Sequence, residues 1–325
     1  MSNMNLIVTG GFLNFTTVSR ETYSLDVRAA NLDYRTSNVT WIKMDDFPTT
    51  LGVTHAAEAF YKNKMYICGG YNGYPGLAQA DCFVYDRKRS LGRSNLPQYT
   101  RLPSLPEPRA GAGMVYDAEH NVLIFVGGTR RNSTASKTVV LDTNDTFILR
   151  LNDTSAGWSR NAQPKPYVGN HISFVTVNDT CSVTKRGIER HYFFGGQIGQ
   201  NESSGNLNNV YEYNVSADTW TQRQFMPFGR GHTGTSSISF DCGFILAGGA
   251  INNGIGGGST KKVTTSDISY YSSYTNSWTS IGQLPKPVKT PVCGTVLIPK
   301  PINKRYIYCT TGYNSLTYRR EIVLV

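Results

Sequence analysis

Tyr66-Ile67-Cys68-Gly69-Gly70 is a short apolar run closed by paired glycines, and the chain returns to that pattern along its whole length. Leu6-Ile7-Val8-Thr9-Gly10-Gly11 precedes it. Ile124-Phe125-Val126-Gly127-Gly128, Tyr192-Phe193-Phe194-Gly195-Gly196 and Ile245-Leu246-Ala247-Gly248-Gly249 follow. Ile307-Tyr308-Cys309-Thr310-Thr311-Gly312 is a degenerate sixth copy. By subtraction, the closing glycines lie 59, 58, 68, 53 and 63 residues apart. Six copies at so regular an interval mark one structural unit, repeated.

The rest of each unit repeats as well. After the glycines come a loop and a tyrosine-bearing run, as in Cys82-Phe83-Val84-Tyr85-Asp86, Val210-Tyr211-Glu212-Tyr213 or Ile268-Ser269-Tyr270-Tyr271. Trp41, Trp158, Trp220 and Trp278 each mark a further run, and a proline-containing loop then leads to small residues such as Gly111-Ala112-Gly113-Met114-Val115. The segments are short, β-branched and aromatic, with turn residues between them, and none carries a 3.6-residue apolar period. Four strands per unit, repeated radially, predict propeller blades.

This order resembles the Kelch repeat over nearly the whole chain. The resemblance implies an all-β, six-bladed Kelch-type propeller of four-stranded antiparallel blades, similar to the central domain of galactose oxidase. One domain spans 1–325, with blades near 1–50, 51–108, 109–165, 166–228, 229–287 and 288–325. The second unit departs from the pattern, with Thr100-Arg101-Leu102 where tryptophan is expected, and the sixth has Thr-Gly for Gly-Gly. The first unit lacks an inner strand and the last an outer one, so the first and last blades are expected to be incomplete. Either the ring closes irregularly or the chain is a fragment, and we expect a fragment. Glycines end each inner hairpin strand where the chain turns sharply near the axis, and the tryptophans supply apolar area between sheets.

Composition bounds the function. The 325 residues carry 32 Lys+Arg against 22 Asp+Glu, a net charge of +10. Charged residues make up 17% and aromatics 12%, which argues against disorder. The basic clusters Arg87-Lys88-Arg89, Arg130-Arg131 and Lys261-Lys262 are short and scattered, unlike a nucleic-acid groove. No apolar stretch is long enough to span a membrane, and MSNMNLIVTGG lacks the pattern of a signal peptide.

The cysteines can be paired on the repeat. Cys68 ends one strand and Cys82 begins its antiparallel neighbour, and Cys293 and Cys309 stand likewise in the sixth unit. Cys181 and Cys242 fall in the same loop of consecutive blades. These three disulfides form one of fifteen connectivities, and they imply an oxidising compartment. Six free thiols in a cytosolic protein is the alternative. Asn-x-Ser/Thr occurs at Asn14, Asn38, Asn132, Asn144, Asn152, Asn178, Asn201 and Asn214, each in an expected loop or strand edge, where a glycan acceptor has to lie.

Two groups of residues are candidates for function. Alignment of the inner strands gives the column His55, Gly111, His171, His232, Cys293, which surrounds the channel. Imidazole and thiolate are zinc and copper ligands, but such columns commonly hydrogen-bond neighbouring backbone, so no metal and no cofactor is assigned. The resemblance to galactose-oxidase-like enzymes implies a Tyr–Cys thioether and paired ligands that cannot be assigned here. Paired carboxylates are not visible either, with Glu58 and Glu107 the two nearest the mouth. The second group is the loop face, carrying Tyr71, Tyr74, Arg109, Arg130, Arg230 and Tyr313, side chains suited to protein or hydroxyl-rich ligands. The resulting expectation is a non-catalytic recognition module of a secreted or cell-surface glycoprotein, binding protein or glycan as a monomeric domain of a larger protein. A carbohydrate-active oxidoreductase or sugar isomerase, and an intracellular Kelch adaptor, stay open.

Overall fold

A computed structural model describes residues 5–13, 17–26, 41–73, 76–90, 98–133, 138–179, 188–199, 205–252, 264–298, 304–310, 313–314, 317–318 and 323–324. Four four-stranded antiparallel sheets form consecutive blades from consecutive segments. The second blade comprises Ala57–Tyr61, Lys64–Cys68, Cys82–Asp86 and Tyr99–Leu102. The third comprises Gly113–Asp117, Val122–Val126, Thr146–Arg150 and Trp158–Ser159. The fourth runs from Ser173–Asp179 through Ile188–Phe194 and Val210–Asn214 to Thr219–Gln222. The fifth runs from Ser237–Phe240 through Gly243–Ala247 and Asp267–Ser272 to Ser277–Gln283. Each end of the chain contributes a three-stranded sheet, Asn5–Thr9, Thr22–Asp26 and Ile42–Lys43 at one end and Val292–Ile298, Lys304–Thr310 and Val323–Leu324 at the other. The strand Asn5–Thr9 lies against Val292–Ile298, so the two end sheets meet. The architecture is an all-β propeller of four-stranded antiparallel blades.

The core lies between sheets rather than within any one of them. Phe47, Met65, Ile67, Phe83 and Tyr99 fill the interval between the first two blades, and Tyr66, Met114, Phe125 and Leu149 fill the next. Val115, Ile124, Phe193 and Tyr213 join the third blade to the fourth, and Tyr192, Phe194, Phe244 and Tyr271 join the fourth to the fifth. The strand before each glycine pair is therefore buried on both faces, as in Val122–Val126 and Gly243–Ala247, which is why its sequence reads as a continuous apolar run, while outer strands such as Ser277–Gln283 stay largely exposed. Each fully buried aliphatic or aromatic side chain contributes about 1.5–3 kcal/mol.

The paired glycines have a physical cause. The second glycine of each pair donates its N–H to the loop of the next blade: Gly70 to Arg109 O at 2.8 Å, Gly196 to Arg230 O at 2.8 Å, Gly249 to Val288 O at 2.8 Å. The first glycine lies under that same carbonyl. A Cβ on Gly69 would sit 2.3 Å from Arg109 O, and one on Gly195 would sit 2.3 Å from Arg230 O. Both also adopt left-handed φ, +69° and +57°, which L side chains disfavour. The motif that repeats in sequence is thus the point at which one blade is tied to the next.

The tryptophans form a second tie. The Trp220 indole N–H donates to Gln163 O of the preceding blade at 2.9 Å, while Gln163 N–H donates to Asp218 Oδ1 at 2.9 Å. Trp278 and Asn276 clamp Gln224 in the same way, at 3.0 and 2.8 Å. Trp158 donates to Pro103 O at 2.9 Å. Proline has no N–H to satisfy, and the residue two before Trp158, where the other two clamps have Asp218 and Asn276, is Ala156. In the second blade, tryptophan was expected at Thr100-Arg101-Leu102, but Tyr99 takes the place. It stands opposite Tyr85 as Trp220 stands opposite Tyr213, and its hydroxyl meets Thr22 Oγ1 at 2.7 Å in the first blade.

Two expected disulfides are present. Cys68–Cys82 and Cys293–Cys309 join directly opposed residues of neighbouring strands, with Cα separations of 4.2 and 4.1 Å. Cys181 lies outside the described residues, and its expected partner Cys242 is buried and is not a free thiol.

Candidate ligand-binding face and channel

The loops after the glycines and the loops leading into the inner strands pair with one another on one side of the ring. Thr54 bridges Tyr71, Ala110 bridges Thr129, Asn170 bridges Gln197, and Arg230 pairs with Ile251. This side holds the residues expected to recognise a ligand, but not in the expected state. Arg109 and Arg230 are 0% and 1% exposed. Arg109 bonds Glu107 at 3.0 Å and is ion-paired to Asp145, while Arg230 is ion-paired to Asp267 and bonds Ser269 at 3.0 Å. Arg130 is half-exposed and shares the same acids, with Glu107 at 2.8 Å and Asp145 at 3.5 Å. The arginines expected to draw anions are therefore neutralised by carboxylates of their own blades, and two of them are held inside the protein. A sequence places an arginine in a loop but does not show whether the loop folds over it.

The carboxylates respond to this pairing. Burial acts to raise Glu107, but hydrogen bonds from Arg109 and Arg160, with the Arg109 and Arg130 charges, hold it below its ordinary value. Burial likewise acts against Asp267, and bonds from Ser269 and Ser280 together with Arg230 outweigh it. Glu58 has no such partner among the causes of its shift, and burial lifts it to about 7. Glu58 and Glu107 therefore sit in opposite electrostatic settings.

Tyr71 is buried, with its ring 5.8 Å from that of His55. Tyr74 lies outside the described residues, and Tyr313 is described only as part of the short strand Tyr313–Asn314. Of the expected glycan acceptors, Asn152, Asn178 and Asn214 are exposed. Asn144 lies in a loop, is half-buried and donates its amide N–H to Lys165 O at 2.9 Å. Asn132 lies in the strand Thr129–Ser133, while Asn14, Asn38 and Asn201 lie outside the described residues.

Sequence reasoning missed a different feature of this face. Leu13, Leu51, Leu77, Leu141, Val168 and Ile198 are 60, 59, 46, 55, 42 and 50% exposed. All six fall in the two loop classes that share this side. Scattered apolar residues on a surface are ordinary, and Ile42, Phe60, Ile188, Tyr274 and Ile281 are exposed elsewhere, but these six gather on one rim. A groove of about 150 Å³ touches one of them, Leu51, and is otherwise lined by residues such as Phe47, Val53, Asn72, Gln79 and Asp81. The signal was present in the register as large apolar residues inside polar turns.

At the axis, the structure brings His55, His171 and His232 together. Their ring centroids are 4.8 Å (His55–His171), 3.9 Å (His171–His232) and 6.2 Å (His55–His232) apart. All three have left-handed φ, at 56°, 50° and 60°, as do Gly111 and Thr290. The member of the column that precedes the strand Val292–Ile298 is thus Thr290, not Cys293. The fifth-to-sixth interval is 58 residues rather than 61, and Cys293 is spent in a disulfide. Backbone bonds link the column between blades, with Gly111 N–H to His55 O at 2.8 Å and Thr290 N–H to His232 O at 3.0 Å. Burial, then the neighbouring His232, His55 and Lys289, keeps the His171 imidazole well below the usual histidine range. No cysteine among the described residues is free, so none of them offers a sulfur for a Tyr–Cys thioether.

Residues 54–312 match the family model described as the KLHDC2/KLHL20/DRC7 Kelch-repeats domain. No curated protein matches the chain.

Proposed function

The chain belongs to that Kelch-repeat family, and from this premise we propose that it is a protein-recognition module whose partner docks on the apolar rim around the channel mouth. The observation that carries this reading is the set of six exposed aliphatic side chains on the two loop classes of one face. Apolar contact surrounded by polar loops is what a protein partner uses, and it serves a sugar poorly, since hydroxyls need unpaired donors and acceptors. The buried, neutralised arginines support the same preference over an anionic glycan.

The cysteines support one reading of the compartment. Two disulfides favour an oxidising setting and with it a secreted or cell-surface protein, glycosylated at exposed sequons such as Asn152, Asn178 and Asn214. Family membership favours a second reading, an intracellular adaptor. Thiol alkylation and intact mass of chain isolated from its native cell separate the two, because bonded cysteines with attached glycans fit the first reading alone.

The rim is tested by selecting displayed peptides on the wild-type chain. Leu51→Asp with Leu77→Asp is expected to weaken the selected peptides at least tenfold while the melting temperature stays within about 2 °C, since exposed positions contribute little to folding. Unchanged peptide binding, or selective capture of free glycans on an array, overturns the docking reading.

A further inference from the structure

We propose that His55, His171 and His232 form a binding site for a divalent transition metal, zinc above all, on the propeller axis. One ligating nitrogen from each ring lies within 4.8 Å of the others. Zinc bonds of about 2.0–2.1 Å in a tetrahedron set nitrogens about 3.3 Å apart. The gap is about 1 Å or less per ring, within reach of small side-chain rotations. The three side chains come from three different blades, so the site exists only in the closed ring.

The hydrogen bonds around the rings are those of a preorganised site. Asn170 Nδ2 donates to Asp142 Oδ1 at 2.6 Å and Gly199 O at 3.0 Å, which fixes Asn170 Oδ1 as an acceptor. That oxygen meets His171 Nδ1, so the proton sits on Nδ1 and the lone pair on Nε2. Gln197 Nε2 donates to Gly199 O at 2.9 Å, which fixes Gln197 Oε1 as the acceptor 3.2 Å from His232 Nε2. His232 therefore carries its lone pair on Nδ1. His55 Nδ1 is held 3.1 Å from Thr54 Oγ1. Partners that fix the tautomer and orientation of each imidazole are what metal-binding histidines have.

The left-handed φ belongs to the column itself, shared by His55, His171 and His232 with Gly111 and Thr290. Imidazole selects zinc, copper or nickel over calcium or magnesium. Three protein ligands leave a fourth position open to the channel, the arrangement of a site that binds a further ligand. Lys289 is the cation closest in influence on His171, and its flexible stem lets the ammonium swing away from a bound dication. The metal site is independent of the docking rim, so the failure of either leaves the other standing.

The test is calorimetric titration of zinc into tag-free, chelator-stripped full chain, alongside NMR of the histidine rings. One equivalent is expected to bind. His171→Asn and His232→Asn, chosen because asparagine tolerates left-handed φ, should each weaken binding at least tenfold. In the unmodified chain zinc should shift the ring signals of His55, His171 and His232, leaving those of His120 and His191 in place, a readout that needs no variant to fold. Absence of saturable binding, unchanged binding in both variants, or movement of the His120 and His191 signals instead overturns the proposal. The last result would place the ion at Asp117, Glu189 and His191.

Discussion

Glu58 sits on the inner strand of the second blade, and burial raises its carboxyl to about 7 from an ordinary 4.5. Between those two values the folded chain holds a proton that the unfolded chain has released, so stability falls as pH rises through this window. Glu58→Gln removes the titration. It is expected to stabilise the chain by about 1–3 kcal/mol at pH 8 and to do little at pH 4, read from urea midpoints at the two values. A gain equal at both pH values would remove burial as the cause. Arg109 presents the opposite situation, a buried cation satisfied by Glu107 and Asp145. Arg109→Met should cost about 2–4 kcal/mol in the same assay, less than a fully buried pair because both acids keep some water. Neither effect was legible in the sequence. Arg109 reads there as a surface charge, and only the loop packed over it shows otherwise.

The Trp–Asp clamp belongs to the blade and its neighbour. Trp220→Phe keeps an aromatic ring but deletes the N–H to Gln163 O and part of the ring area, and a cost of at least about 1–2 kcal/mol is expected by chemical denaturation. Asp218 has a φ of 50°. Asp218→Gly should cost less than Asp218→Ala, which loses the same bond to Gln163 and adds backbone strain. If the two variants are equally unstable, the left-handed turn carries no strain and the clamp alone matters. This element was half legible. The tryptophans were plain as repeated letters, but Tyr99 was not seen as their counterpart, because its equivalence rests on strand register and on a hydroxyl partner, Thr22, 77 residues away.

Over the whole molecule, the disulfides Cys68–Cys82 and Cys293–Cys309 close short loops of sequence separation 14 and 16. Reduction should lower stability by about 3 kcal/mol per bridge in the chain-entropy account, seen as an earlier thermal transition. An identical melt with and without reductant would mean that the bridges do not form in solution. Among the described residues no helix is long and apolar enough to cross a membrane. The paired-glycine repeat determined the all-β propeller by itself, because a motif that ties each blade to the next must recur wherever a blade does. It also determined the two described disulfides, which depend on local antiparallel pairing. Tertiary structure alone decided which loop arginines are buried, which apolar residues form a rim, and that three histidines from separate blades meet at the axis while Cys293 does not. Those outcomes depend on loop lengths and on how neighbouring blades close over one another, and a spacing of sixty residues carries neither.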